Sequence, residues 1–293
     1  MKWLVCTPVW GTRHHTAFEL FTLPALLLAA KQAKYKIRFL THTDDPDRIA
    51  KMAYRAGAIG TTRPLPQEPN KHLCLGLCNR DGIAAAEPGD IVALVNADMV
   101  PSVEFFEAAE RRFAEGKKLV MMAGTRTLGG EPPVGAASAD LLRWTMFQRH
   151  PTISACFYGE GHSRVCSTVY FRNGADVVLH AWHLQTAAFM VDRPLSFNGA
   201  TADDDLANCY QPEEIHVVTD ANEAAFAEMS PIELAVDDLG RPMDIPAIVD
   251  WARNAANQRH AWFFRHRITI MGNSDDGGDR AICDEVLARW NRQ

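Results

Sequence analysis

Asn96 and Asp98 stand one residue apart at the end of an apolar run, Ile91–Val95, and Pro101 and Ser102 break the chain just beyond them. A continuous apolar run reads as a buried parallel strand. Open α/β sheets place their ligands at the carboxyl ends of such strands, so this amide and carboxylate are candidates to contact one. The same side chains would also satisfy backbone groups in a turn ahead of a helix. Asp44 and Asp45 close a second apolar run, with Asp45 also suited to cap a helix that opens at Pro46. Asp203, Asp204 and Asp205 are adjacent; mutual repulsion would be expected to raise at least one carboxyl pKa, which would suit a proton acceptor, and they equally suit an acidic helix start. His180 and His183 are spaced i, i+3, on one face of a helix or on opposite faces of a strand, with Trp182 between them. A histidine in an apolar stretch is more often a hydrogen-bonded core residue than a ligand, and Trp182 would either stack on a ligand's apolar face or fill core.

The elements that must position these groups alternate. Lys2–Val9 reads as a first, central strand. Thr16 and Glu19 form a capping box that predicts a helix running towards Lys34, kinked or divided at Pro24. Lys36–Asp45 reads as a second strand, and a helix follows from Pro46 to a stop at Gly57. A third helical pattern covers about Asn70–Ala86, and Ile91–Val95 is the next strand. A helix from Ser102 buries Phe105, Ala109 and Phe113 and ends at Gly116; Lys118–Thr125 is another strand. This rhythm predicts a mostly parallel sheet with right-handed crossovers. After Thr127 it changes: a Gly- and Pro-rich loop to Asp140, a helix at Ala139–Gln148, strands at Arg164–Asn173, Ala187–Pro194 and Glu214–Asp220, and a helical C-terminus.

The 293 residues are 47% hydrophobic with a formal net charge of −6, which fits one large α/β domain and gives no basic surplus for nucleic acid. The seven cysteines are odd in number and scattered, as free thiols of a reducing compartment are. Cys74 and Cys78 have no second pair nearby, so core positions on a helix suit them better than zinc. With no signal peptide and no spanning run, the chain reads as cytoplasmic. Arg259–Ile270 alternates aromatic and basic residues; it would suit a peripheral contact with anionic lipid, and a packed helix with solvated charges accounts for it as well.

The stretch Cys78–Glu107, "CNRDGIAAAEPGDIVALVNADMVPSVEFFE", resembles the core of glycosyltransferases of the GT-A fold, family 2 type. Shared are a polar pair, x-Gly-Ile, an Ala shortly before Gly-Asp, an apolar strand, an Asp-x-Asp-like turn and a Pro before a helix. The likeness covers roughly the first 125 residues well and the rest loosely. It implies a GT-A, Rossmann-like α/β fold over 1–293, with a nucleotide-sugar-binding half at 1–127. An acceptor-binding half with C-terminal helices would occupy 128–293. It implies an enzyme that moves a sugar from a nucleoside diphosphate sugar to an unidentified acceptor (a glycan, a lipid-linked or a small molecule), with inversion. A divalent cation, Mn²⁺ or Mg²⁺, would assist by neutralising the leaving diphosphate. Asp98 inherits the metal ligand's place, with His183 as a second ligand and His216 and His180 behind it. Thr7, Pro8, Val9, Asp44, Arg80, Asn96 and Asp98 inherit donor contacts. Asp203, with Asp204 beside it, inherits the base that takes the acceptor's proton. Two departures stand out: Asn96 and Ala202 occupy positions where the family carries acids, and Asn79-Arg80 reverses its usual order.

Two alternatives stay open. A sugar-phosphate nucleotidyltransferase shares the strand order and the metal; its Gly-rich loop is reduced here to one Gly, although Arg13 supplies the basic residue after the first strand. A degenerate GT-A domain that binds nucleotide sugar or a partner protein without turnover is favoured by Asn96 and Ala202. A dinucleotide oxidoreductase is disfavoured because no G-x-G-x-x-G follows the first strand.

Overall fold

The computed structural model describes residues 2–195, 202–230, 240–272 and 277–292, leaving out the side chains of 202–204. The first strand, β1 (Trp3–Val9), is buried along its whole length. Helix α1 (Gly11–Ala17) runs through a π-helical turn, Phe18–Thr22, into α2 (Leu23–Gln32). The helix therefore begins six residues earlier than the Thr16–Glu19 pattern predicts, and the Thr16 hydroxyl donates back to the Thr12 carbonyl. The run divides next to Pro24, which lies in the first turn of α2 directly after the π-helical turn. Proline lacks an N–H and crowds the carbonyl four residues back; the chain absorbs this in the preceding turn, where Leu23 N donates five residues back to Phe18 O.

β2 (Ile37–Thr43) leads to α3 (Pro46–Arg55), capped as expected by Asp45, whose Oδ1 accepts from Arg48 N at 3.0 Å. β3 (Ile59–Pro64) is a polar, largely exposed edge strand that carries no apolar signal in the sequence. α4 (Lys71–Ala84) is capped by Asn70 and leads to β4 (Ile91–Leu94), β5 (Met99–Pro101), α5 (Phe105–Ala114) and β6 (Leu119–Met122). The strand expected to reach Thr125 divides at Ala123-Gly124, and β7 (Gly124–Thr127) is a separate element. Glycine inside a strand weakens it and marks such bends. The chain continues through α6 (Ser138–Phe147), α7 (Pro151–Ala155), β8 (His162–Ser163), β9 (Thr168–Asn173), β10 (Asp176–Ala181) and β11 (Gln185–Met190). Then follow α8 (Ala202–Cys209), β12 (Ile215–Val217), β13 (Phe226–Met229), β14 (Arg241–Pro242), α9 (Ile245–Ala255), α10 (Gln258–Phe264), β15 (Ile268–Met271) and α11 (Gly278–Trp290).

These elements form two compact units. The first gathers Met1–Met122, Pro133–Ala137 and Gln185–His216; the second gathers Ala123–Pro132, Ser138–Leu184 and Val217–Gln293. The first unit is built on a seven-stranded sheet in the order β12-β6-β11-β4-β1-β2-β3. β1 is parallel to β2 and to β4, β2 is parallel to β3, and β11 runs antiparallel between β4 and β6. Helices cover both faces. Cys6 faces α4, while Phe39, in register with Val5, points the other way and shares a cavity with Ile49 of α3. Beneath, Trp3 meets Phe106 edge-on at 4.7 Å. This is the mostly parallel α/β architecture expected from the sequence.

In the second unit β10 pairs antiparallel with β9 and β15, and β7 runs parallel to β13. Its core contains Trp182, stacked on Phe264 at 4.2 Å and 15°. Trp182 therefore fills core, and Phe263 and Phe264, from the aromatic-basic stretch, are buried on α10 while Arg265 just beyond it is exposed. Beyond Phe264 that stretch continues as β15 rather than as helix. Among the described residues no helix is long and apolar enough to cross a membrane.

Candidate functional site

Strand order reverses between β1 and β4: from β1 the sheet runs outward to β2 and β3 on one side and to β4 on the other. Crevices at the carboxyl ends of the strands flanking such a reversal are where α/β sheets bind ligands. The chain brings three carboxylates, Asp44, Asp81 and Asp98, and five cationic or titratable partners, Arg13, His14, His15, His42 and Arg63, to this edge.

Asp44 follows β2. Its Oδ2 accepts the backbone N–H of Gly11 at 2.9 Å, and its Oδ1 lies 2.6 Å from His15 Nε2. Gly11 has a φ of +73°, a left-handed conformation that suits glycine, so the chain turns there from β1 into α1 directly over Asp44. Burial opposes the charge on Asp44, but the Gly11 N–H and His15 outweigh it and hold its carboxyl below the usual range. Asp44 keeps an exposed side, yet both its oxygens are engaged in fixing the β1–α1 turn.

Asp98 follows β4 in a turn closed by Met99 N on the Asn96 carbonyl at 3.0 Å. The turn is tied to the π-helical segment by Thr22, whose hydroxyl donates to Ala97 O at 2.7 Å. The Asp98 carboxylate is largely buried, with Arg13 Nη2 at 3.5 Å and His14 Nε2 at 3.6 Å, both from α1. His14 Nδ1 donates to the Trp10 carbonyl at 2.9 Å, while Nε2 faces the carboxylate; the ring is served best with a proton on each nitrogen. Asp98 thus raises the His14 pKa, helped by the Trp10 carbonyl and opposed by burial.

A third carboxylate was not singled out by the sequence. Asp81, on α4, lies 2.7 Å from His42 Nε2 and is paired with the Arg63 guanidinium through the same oxygen. Pro8, His42 and Arg63 occupy one row across β1, β2 and β3. Burial would raise the Asp81 pKa, but Arg63 and His42 hold it below the usual range. α4 reaches this row because Gly82 lets it approach β1; a Cβ there would lie 2.5 Å from Cys6 Sγ. The signal was present as Asp-Gly after Asn79-Arg80, but Arg63 and His42 sit in stretches that show nothing of their convergence.

The remaining expected residues are placed as follows. Thr7, Pro8 and Val9 are buried in the end of β1, Thr7 with no protein partner for its hydroxyl among the described residues. Arg80 is partly buried on α4, one position before Asp81. Asp203 and Asp204 fall on α8, but their side chains lie outside the described residues. His183 belongs to the second unit, its ring 4.2 Å from that of His260 and 5.7 Å from that of Trp251. His180 is a core residue: Nδ1 donates to the Phe264 carbonyl at 2.8 Å, and Nε2 lies 3.1 Å from Asp279. His216 is half-buried on β12.

Among the described residues no group of three or more His, Cys, Asp or Glu side chains is gathered to hold a metal ion. At the β4 turn a hard cation would find one carboxylate, Asp98, and one amide, Asn96. Magnesium-type sites take one or two carboxylates and complete their shell with phosphate oxygens and water, so this donor chemistry fits such an ion when a phosphate ligand is present. Arg13 and His14 compete with it for the Asp98 Oδ2.

No protein-family model matches the chain, and no curated protein matches it. Among solved structures, it is similar to the inositol-1-phosphate CTP transferase of T. maritima, at 10% identity and a TM-score of 0.39, covering 88% of this chain and 98% of that one. A second is glucosyl-3-phosphoglycerate synthase of Mycobacterium tuberculosis, in complex with Mn²⁺, UDP and phosphoglyceric acid. The match has 16% identity and a TM-score of 0.30, covering 55% of this chain and 60% of that one. A third is a protein of Bacillus anthracis assigned as a glucose-1-phosphate thymidylyltransferase, at 13% identity and a TM-score of 0.31, covering 46% of this chain and 62% of that one. The chain thus spans about three-fifths of the length of the latter two. The functional reading rests on the site's own geometry.

Proposed function

We propose that this chain is a glycosyltransferase that moves a sugar from a nucleoside diphosphate sugar to an acceptor hydroxyl. One observation carries the reading: Asp98 is fixed at the carboxyl end of β4, at the strand-order reversal, with Arg13 and His14 of α1 gathered on it. A carboxylate beside two cationic side chains suits a diphosphate, whose oxygens accept hydrogen bonds from the cationic groups and whose bound cation the carboxylate would coordinate. Asp98 and Asn96 would hold Mn²⁺ or Mg²⁺, which supplies charge neutralisation for the leaving diphosphate. Arg80 would add positive charge on the α4 side, and Asp44 would meet the nucleoside from the β2 end, next to the buried row Thr7–Val9.

In the transfer, the bond between the anomeric carbon and the diphosphate oxygen breaks and the nucleoside diphosphate leaves with the electron pair. The acceptor oxygen bonds to the opposite face of that carbon, and its proton passes to Asp203, with Asp204 alongside. The acceptor is a hydroxyl of a glycan, a lipid-linked sugar or a small molecule.

A second reading is favoured by the position of Arg13. A basic residue directly after the first strand, held at the diphosphate end, is what a sugar-phosphate nucleotidyltransferase requires. The two readings separate by product: pyrophosphate from a nucleoside triphosphate and a sugar phosphate in one case, free nucleoside diphosphate in the other.

The test is calorimetry with nucleoside diphosphates and common nucleotide sugars, with and without Mn²⁺, on the wild type and Asp98→Ala. Metal-dependent binding of one nucleotide sugar that weakens at least tenfold in the variant supports the reading. No binding by any nucleotide overturns it.

A further inference from the structure

The second unit contains a cavity of about 210 Å³ that no feature of the nucleotide site explains. It opens at the tip of the β9–β10 hairpin and is lined by Arg172, Asn173 and Asp176 from that hairpin. Tyr158 and Phe171 supply its aromatic wall, their rings stacked 5.3 Å apart at 24°. Arg267 and Asp279 close the inner end, Arg267 Nε donating to Asp279 Oδ2 at 3.0 Å.

We infer that this cavity binds the pyranose ring of a neutral saccharide. Volume, charge and shape agree on that class. At about 210 Å³ the cavity has room for several waters, and so for one sugar ring rather than a whole nucleotide. The lining carries two guanidiniums against two carboxylates, so a net charge on the ligand would gain nothing from the site as a whole. A hydroxyl both donates and accepts, and a ring bearing several of them is the ligand that engages Arg, Asp and Asn together. The aromatic pair offers an apolar wall to the C–H face of such a ring.

The walls are stiff where a binding site needs stiffness. Asp279 is buried and held by both His180 and Arg267, which fixes Arg267 in turn. Asp176 is seated hard against the backbone at Gly272, where a Cβ would lie within its carboxylate. Arg172 lies over the Phe157 ring at 4.6 Å, with Glu160 at 3.7 Å. Pre-positioned groups of this kind lose little freedom on binding. The inference does not depend on the transferase reading, and either can fail alone.

The experiment is saturation-transfer NMR on the full chain with millimolar hexoses and their methyl glycosides, on the wild type and on Arg172→Ala/Asn173→Ala. Both substituted side chains are exposed, so the fold is retained, which circular dichroism checks. Saturation transfer to at least one hexose or glycoside, with affinity lowered about tenfold or more in the double variant, is the expected result. Binding by glycosides alone also supports the site and identifies a glycan terminus as its source. No transfer to any of them, or equal affinity in both proteins, overturns it. Competition by inorganic phosphate without competition among the sugars would overturn it as well, by showing an anion site.

Discussion

Gly82 of α4 sits so close to Cys6 of β1 that a single added methyl would lie 2.5 Å from the Cys6 sulfur and 3.1 Å from its Cβ. Replacing helical Gly by Ala ordinarily gains up to about 1 kcal/mol. Here the helix and the central strand would have to separate, and overpacking of that kind costs about 1–3 kcal/mol. The clash wins: Gly82→Ala lowers stability by about 1–2 kcal/mol in urea unfolding. Adding Cys6→Ala, which removes the sulfur, recovers most of the loss. Additive destabilisation in the double variant would show that Gly82 is not a contact glycine.

Asp44 tests whether an acid at the end of β2 positions the loop or reads a ligand. Asp44→Ala strips the N-terminal cap of α1 and the partner of His15, and costs about 1–2 kcal/mol. Asp44→Asn keeps an oxygen for the Gly11 N–H and recovers most of that stability. Thermal unfolding measures the first effect and nucleotide titration the second. A nucleoside contact predicts that Asn restores stability but not affinity; a positioning role predicts that it restores both.

Asp279 makes the second unit sensitive to acid. Burial disfavours its charge, but the His180 hydrogen bond and the charges of Arg267 and His180 prevail and hold its pKa below 3.8 in the folded state. A depressed carboxyl pKa contributes stability that is complete above the unfolded value and is lost as pH falls through the folded one. Asp279→Asn, which leaves Arg267 without its counter-charge, therefore costs about 3 kcal/mol at pH 7. The difference from wild type shrinks as the pH is taken below about 4. Denaturant unfolding at stepped pH reads it; a difference that stays constant down to pH 2.5, about the acid limit of such a scan, would show that Asp279 carries no depressed pKa.

The cysteines differ in reactivity. Burial pushes the thiols of Cys6, Cys78, Cys166 and Cys283 up to about 12, and that of Cys156 to about 11. At pH 8 a thiol of pKa 12 is thiolate in about one molecule in ten thousand. Cys209, half-buried on α8, keeps part of its side chain open to solvent and is the first to be alkylated by iodoacetamide in the folded protein, and the five named thiols follow only in denaturant. Peptide mass spectrometry after brief labelling checks the order.

What the sequence determined was set by short-range physics. The apolar runs at β1, β2 and β4, the Asp45-Pro46 start and the Gly57 and Gly116 stops all follow from local pattern and backbone restriction, and each fixes an element without reference to the rest of the chain. So does the delivery of Asn96 and Asp98 to a strand end. β3 escaped because an edge strand needs no buried face to announce it, and the early start of α1 escaped because its cap, Asp44, comes from 33 residues away. The tertiary structure alone decided the partners. That Asp98 faces Arg13 and His14, that Asp81 joins His42 and Arg63, and that His180 is spent on Asp279 depend on strand order and register, which bring together side chains tens of residues apart. A carboxylate's type can be read in one dimension. Its charge state and its task are set by neighbours that only the fold supplies.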